Sequence, residues 1–172
     1  SLGLIKKDIQ DDLSEFGVLF DSWFSEESMH KNGELDRAIQ SLKKKDYLYE
    51  KDGATWFKAT DLGDEKDRVV IRKNQNKTYF TSDIVYHHNK KERGFDTLID
   101  ILGSDHHGYI ARVKAGLEAM GHDSDDLDVQ LVQFVSLYEN GVKQAMSTRS
   151  GEFITLRPVS YTHLRAHETR PN

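Results

Sequence analysis

Hydrophobic residues recur along the chain with two periods, and each change of period marks an element. Ile5, Ile9, Leu13 and Phe16 fall at steps of four and three, which predicts one face of a helix. Gly17 follows where helices commonly close with a left-handed residue. In "VLFDSWF" (18–24) the aromatics alternate in side, predicting a strand, and the polar "SEESMHKNG" (25–33) predicts a connection. Leu35, Ala38, Ile39 and Leu42 lie at i, i+3, i+4 and i+7, a second amphipathic helix. "YLYEKDGATWFKA" (47–59) predicts a β-hairpin turning at Asp52-Gly53. "RVVIR" (68–72) predicts another short strand. After the turn "KNQNK", "TYFT" (78–81) is expected to be a strand as well.

The texture then changes. "SDIVYHHNKKERG" (82–94) opens on a capping-type Ser-Asp pair and closes on Gly94, so a helix is expected there. "TLIDIL" (97–102) predicts a strand, and "GSDHHG" follows at once. Ile110, Val113, Leu117 and Met120 form a helical stripe that stops at Gly121, and "DVQLVQFV" (128–135) predicts an apolar strand. Strand, helix and strand within about 40 residues make a βαβ unit with a parallel pair and a right-handed crossover. The fold class expected is α/β. No internal repeat or low-complexity segment interrupts it.

Composition narrows the function classes. At 172 residues the chain suffices for one ordinary domain. Charged residues make up 31% and hydrophobic residues 37%, which is polar, but the recurring apolar runs keep the chain in the folded class. The net charge of −5 and pI near 5.9 give no whole-chain basic footprint for nucleic acid. A local basic patch or a separate RNA-binding domain stays open. The absence of cysteine excludes disulfides and thiolate metal sites. No apolar run approaches the ~20 residues of a membrane helix, and no signal-peptide pattern opens the chain. A cytoplasmic protein without a membrane partner is expected. The chain opens on Ser1 instead of Met, as a piece of something longer would.

Three stretches carry candidate chemistry. "GSDHHG" sits between the end of a parallel strand and the start of a helix, where open α/β sheets bind ligands. Helix N-terminal amides there favour anions. Gly103 permits close backbone approach, Asp105 can accept from a ribose diol, and His106 and His107 can donate to substrate or phosphate. The competing reading is a capping aspartate followed by partly exposed histidines. A metal site is disfavoured, because three adjacent side chains rarely converge on one ion. A phosphodiesterase of the Asp-His-His type is a rival, but it needs spaced aspartates for two metals, and "DSDDLD" (123–128) is a loop run. In "TYFTSD", Tyr79 and Asp83 stand four apart at a strand-to-helix junction. A carboxylate and a phenol there could grip a cation, and carboxylate meets guanidinium in a two-bond fork. A helix cap and a core tyrosine would explain the same pair. "KQAMSTRSGEF" (143–153) is a basic, glycine-containing stretch whose Lys143, Ser147, Thr148 and Arg149 could follow nucleotide phosphates, or form an ordinary surface loop.

Together, "TYFTSDIVYH", "RGFDTLIDILGSDHHGYIARVKAGLEAMG" and "VQFVSLYENGVKQAMSTRSGEFITL" resemble arginyl-tRNA synthetases of the bacterial type, in that family's order and spacing. "DYLYEKDGATWFKATDLGDEKDRVVIR" upstream is similar too, so the resemblance runs from about residue 1 to Arg157. It implies a class I aminoacyl-tRNA synthetase with a Rossmann-type catalytic domain. Its expected activity is ATP-dependent activation of L-arginine, with Mg²⁺ accompanying ATP, and transfer to tRNA(Arg). By position, Tyr79, Asp83 and His107 would bind arginine. Gly103 and Asp105 match the strand-end motif that contacts the adenosine ribose, with His106 beside them. "AMSTR" (145–149) occupies the mobile signature loop, placing Met146 against adenine and Ser147, Thr148 and Arg149 near the phosphates. No protein-bound metal is implied, and a monomer is expected.

The departures from the family pattern are specific. Ala145 and Thr148 stand where the loop signature has lysines, and the His-Ile-Gly-His signature of the first half-fold is not found. "PVSYTHLRAHETRPN" (158–172) fits no part of the family and reads as a non-native tail. The chain is therefore expected to be an interior slice, probing as residues 1–76 of a connective α+β insertion followed by residues 77–157, the second half of the Rossmann-type parallel sheet. Such a slice would be inactive alone, without the first half-fold or the anticodon-binding domain. A metal phosphoesterase, a non-catalytic arginine- or nucleotide-binding module, and a fragment without activity remain as alternatives.

Overall fold

In the computed structural model, residues 2–144 and Thr155 are described. The chain divides into two units, one made of residues 1–23 and 135–172, the other of Phe24–Phe134.

The first unit contains helix α1 (Leu2–Glu15) and a two-residue antiparallel pair, β6 (Tyr138–Glu139) with β7 (Val142–Lys143). The predicted helix is present and ends at Gly17, whose φ of 85° only glycine adopts readily. Its apolar stripe is not covered: Ile5 and Ile9 remain 60% and 46% exposed. The strand expected at 18–24 does not form. The segment is irregular, no ladder partner takes it up among the described residues, and alternation without a partner does not hold a strand.

The second unit carries the core. The polar connection expected at 25–33 contains a short helix, α2 (Glu26–Lys31), which buries Met29 against Leu35 and Ala38 of α3 (Glu34–Lys44) and Val85 of α4 (Tyr79–Glu92). One apolar residue in a polar run escaped the periodicity. The hairpin is as expected: β1 (Leu48–Lys51) pairs antiparallel with β2 (Ala54–Phe57). Asp52 and Gly53 turn it with φ of 54° and 77°, the double left-handed turn that suits strand twist. β3 (Arg68–Ile71) adds to the other edge of β2. Phe57 and Val70 pack on Leu42 from α3, Phe80 and Ile84 from α4, and Ala115 and Ala119 from α5 (Ile110–Met120). This core draws residues from both sides of position 76.

"TYFT" is the main correction. β propensity favours a strand there, but α4 already begins at Tyr79. The hydroxyls of Thr78 and Thr81 donate to the Val69 and Val70 carbonyls of β3, at 2.9 and 2.6 Å. That fastens the first turn of α4 on the sheet and lets Phe80 and Ile84, four apart, enter the core together. Ser82-Asp83 consequently lies one turn inside the helix and does not cap it.

β4 (Leu98–Gly103), α5 and β5 (Leu127–Val132) form the expected parallel unit. β5 stops at Val132, short of the expected 135. Leu98 and Leu127 bury against Val113 and Leu117 of α5. The alternate positions Ile99, Ile101 and Val132 are 62%, 70% and 52% exposed, so one face of the pair is bare. Gly116 is where α5 meets α4, since a Cβ there would lie 2.6 Å from Ile84 Cγ1. Among the described residues, no helix is long and apolar enough to cross a membrane.

Candidate functional site

Two groups of predicted site residues lie in the described region, one on the first turns of α4 and one just beyond β4.

Tyr79 is the first residue of α4 and is 78% exposed, and Asp83 follows one turn later on the same side. Two cavities, of about 440 and 230 Å³, share Glu26 and Ser82 in their walls; Tyr79 lines the larger and Asp83 the smaller. The aromatic wall of the smaller one is Phe24 and Tyr86, with ring centroids 4.7 Å apart. Such a wall suits a flat delocalised cation. The Asp83 carboxylate takes no hydrogen bond or salt bridge among the described residues. Burial pushes its pKa up to about 6, Glu26 and Asp100 push in the same direction, and His87 and Arg112 only partly offset them. An acidic, partly buried carboxylate without a counter-ion is a cation site in chemical terms.

The ground under Asp83 is rigid. His87 is buried, and its Nδ1 donates to the Asp83 carbonyl at 2.7 Å. Its Nε2 meets Asp100 Oδ2 at 2.6 Å, and Lys90 Nζ donates to Asp100 Oδ1 at 2.7 Å. Since both partners of His87 are acceptors, both ring nitrogens act as donors. Burial alone would raise the Asp100 carboxyl, but the bonds from His87 and Lys90 outweigh it and hold it at about 2. α4 is thereby fixed to β4 in rotation as well as position.

Beyond β4, residues Ser104–Tyr109 form a 3-10 turn leading into α5. Asp105 and His106 side chains are 58% and 53% exposed and approach to 3.8 Å, and His107 is exposed too. Gly103 has a close neighbour: a Cβ there would stand 2.6 Å from Asp105 Oδ1. The missing side chain lets the carboxylate fold back over the strand end. No hydrogen bond, ion pair or ring contact joins His107 to Tyr79 or Asp83 among the described residues. Met146, Ser147, Thr148 and Arg149 lie outside the described residues, as does the stretch 158–172.

Reasoning from sequence missed Glu26, Phe24 and Tyr86 around Asp83, and the tie through His87, Lys90 and Asp100. One signal was present for the tie. Asp100 interrupts "TLIDIL" at an inward strand position, where a charge persists only if paired.

Residues 4–164 match the family model described as tRNA synthetases class I (R), catalytic domain. The arginine–tRNA ligase of Legionella pneumophila strain Corby is 56% identical over 159 residues, covering 92% of this chain and 27% of that protein. The arginine–tRNA ligase of Dichelobacter nodosus is 59% identical with the same coverage of both. The chain thus spans about a quarter of the length of these relatives. A solved Campylobacter jejuni arginyl-tRNA synthetase structure superposes with a TM-score of 0.79 at 41% identity, covering 88% of this chain and 32% of that one. Thermus thermophilus arginyl-tRNA synthetase has the same fold, with a TM-score of 0.60 at 17% identity.

Proposed function

The chain belongs to the catalytic-domain family of class I arginyl-tRNA synthetases, and from that premise we propose that it forms part of an enzyme joining L-arginine to tRNA(Arg). The arginine carboxylate attacks the α-phosphorus of ATP, which enters with Mg²⁺; arginyl-adenylate forms and pyrophosphate leaves. A terminal ribose hydroxyl of the tRNA then attacks the arginyl carbonyl and AMP leaves. The protein acts in the cytoplasm as a monomer, and the alternatives of a phosphoesterase or a non-catalytic binding module are set aside.

The observation that carries this reading is Asp83. Its carboxylate is partly buried, lacks a counter-ion among the described residues, and is pushed up to about 6 beside a cavity with two aromatic walls. A guanidinium supplies the close hydrogen-bonded ion pair that the Asp83 carboxylate lacks and a fork that matches it. Tyr79 closes the approach from the same helix face, and His107 contributes from the turn beyond β4. Gly103, Asp105 and His106 hold the adenosine ribose and adjoining phosphate. Met146 lies against adenine, and Ser147, Thr148 and Arg149 lie near the phosphates. Residues 1–76 serve as the connective insertion, 77–157 as the second half of the nucleotide fold, and 158–172 as a tail without a role.

The test is arginine-dependent exchange of pyrophosphate into ATP by the full-length protein carrying Asp83→Asn. Loss of one charge-assisted fork costs about 2–3 kcal/mol, a drop of about 30- to 150-fold in kcat/KM for arginine with little change in KM for ATP. Unchanged arginine kinetics would refute the assignment.

A further inference from the structure

His88 and Glu92 stand at i and i+4 on α4, so both side chains leave the same side of the helix. His122 arrives from the turn after α5. Gly121, with φ of 101°, ends that helix, and the His122 N–H returns to the Leu117 carbonyl at 3.3 Å. His122 Nε2 consequently lies 2.7 Å from His88 Nδ1. One ligand atom from each of His88, Glu92 and His122 falls within 4.8 Å of the others. His88 and Glu92 also line a cavity of about 420 Å³.

We propose that His88, Glu92 and His122 form a binding site for a divalent transition-metal cation of the zinc class, which fastens α4 to the end of α5. Two imidazoles and one carboxylate are a donor set that zinc takes readily, with a fourth position left for water. Ligands four apart on one helix face are the usual helical arrangement for such ions. Two nitrogen lone pairs cannot face each other at 2.7 Å, so one ring donates a shared proton to the other, and at least one ring is neutral. A cation replaces that proton. Zinc–nitrogen bonds of about 2.0–2.1 Å at tetrahedral angles separate two nitrogens by about 3.3 Å, so the rings need to part by only about 0.6 Å.

The surrounding charges permit this. Glu34 lines the same cavity and adds negative charge. Of the nearby cations, Lys45 Nζ donates to the Ala119 carbonyl at 2.9 Å, Lys91 is paired with Asp126, and Arg37 donates to the Asn32 carbonyl. An independent observation points to the same place. Asn89, also on the cavity wall, donates from Nδ2 to Glu34, while its Oδ1 is buried and accepts nothing among the described residues. Water on the open metal position is a donor of the kind this oxygen lacks.

The experiment is calorimetric titration of the metal-free full chain with zinc chloride in a non-chelating buffer, repeated with Co²⁺ to record visible absorption. One equivalent should bind, and Co²⁺ should develop the intense visible bands of tetrahedral coordination. Glu92→Gln and His122→Ala should each weaken zinc binding by about 100-fold or more, since even second-shell losses cost 10- to 100-fold. His30→Ala, exposed and outside the cluster, should leave it unchanged. Glu92 is exposed, so its replacement tests ligation without disturbing the core. Failure of the unsubstituted chain to bind one equivalent, or full affinity retained in both Glu92→Gln and His122→Ala, would overturn the proposal.

Discussion

Replacing Asp83 with Asn should stabilise the unliganded chain, and should do so only above the pH at which Asp83 ionises. In the folded chain this carboxyl titrates at about 6, against an ordinary value of 3.8. Between those values the folded state holds a proton that the unfolded state has released, so stability falls as pH rises through the window. A shift of about two units corresponds to about 3 kcal/mol, fully expressed once the pH is well above 6 and absent below 3.8. Asparagine keeps the shape and carries no charge, so the difference between variant and parent isolates this one group. Solvent reaching the cavity and the cost of burying an amide reduce the expected gain to about 1–2 kcal/mol at pH 8. Urea denaturation of both chains at several pH values from 4 to 8 measures it. The stability difference should grow in favour of Asn between about pH 4 and pH 6 and level off above that. Added L-arginine should reverse the order by stabilising the parent more than the variant, because a ligand that binds only the folded state adds stability in proportion to its affinity. A pH-independent difference, or a variant that loses stability relative to the parent between pH 5 and pH 8, would refute the picture of a carboxylate held without its counter-ion.

Asp100 is the opposite case. Held at about 2, it contributes stability above its ordinary value that is lost as pH falls through 2, and Asp100→Ala should cost about 3–5 kcal/mol near neutral pH by leaving His87 and Lys90 without an acceptor; denaturation midpoints within experimental error of the parent would contradict this. Gly116→Ala should cost about 1–3 kcal/mol by driving a methyl against Ile84 Cγ1, and Ile84→Ala, which removes that carbon, should make the two changes together cost less than the sum of each alone, measured by thermal unfolding. The close contact that Gly103→Ala makes is with the exposed Asp105 carboxylate, which can turn out to solvent, so stability should change by less than about 0.5 kcal/mol. If Asp105 holds ribose, ATP affinity should nonetheless fall by about 10-fold in equilibrium binding to the full-length protein.

The elements that could be read from sequence were those whose signals are local. α3, the Asp52-Gly53 hairpin and the β4–α5–β5 unit each announce themselves by period and punctuation within a dozen residues. "TYFT" misled because its fate is decided elsewhere: the carbonyls of Val69 and Val70 claim the threonine hydroxyls, and the core needs Phe80 and Ile84 on one face. Met29 buried a helix that polar neighbours concealed. For the site, the Tyr79/Asp83 spacing and the position of "GSDHHG" after a strand were visible, and the resemblance gave them roles. The walls around Asp83 were not, because Glu26 and Phe24 arrive from more than fifty residues away, and a one-dimensional pattern carries no record of that meeting. The same holds for His88 and His122, which become neighbours only when α4 packs beside α5.

The parallel pairing of β4 with β5 also sets a timetable. Each residue of β4 waits for a partner made 29 positions later, Leu98 for Leu127 and Gly103 for Val132. At about 5–20 residues per second, synthesis takes about 1.5–6 s to supply it. The β1–β2 hairpin needs no such wait, since its strands are joined by two residues. The nascent chain therefore has its meander closed while the edge of β4 that β5 will occupy is still bare. Bare edges of this kind recruit the same strand from neighbouring chains. The demand for chaperone protection during translation should concentrate between the emergence of Gly103 and that of Val132, and slowing the ribosome within that interval should lower the soluble yield more than slowing it over the meander.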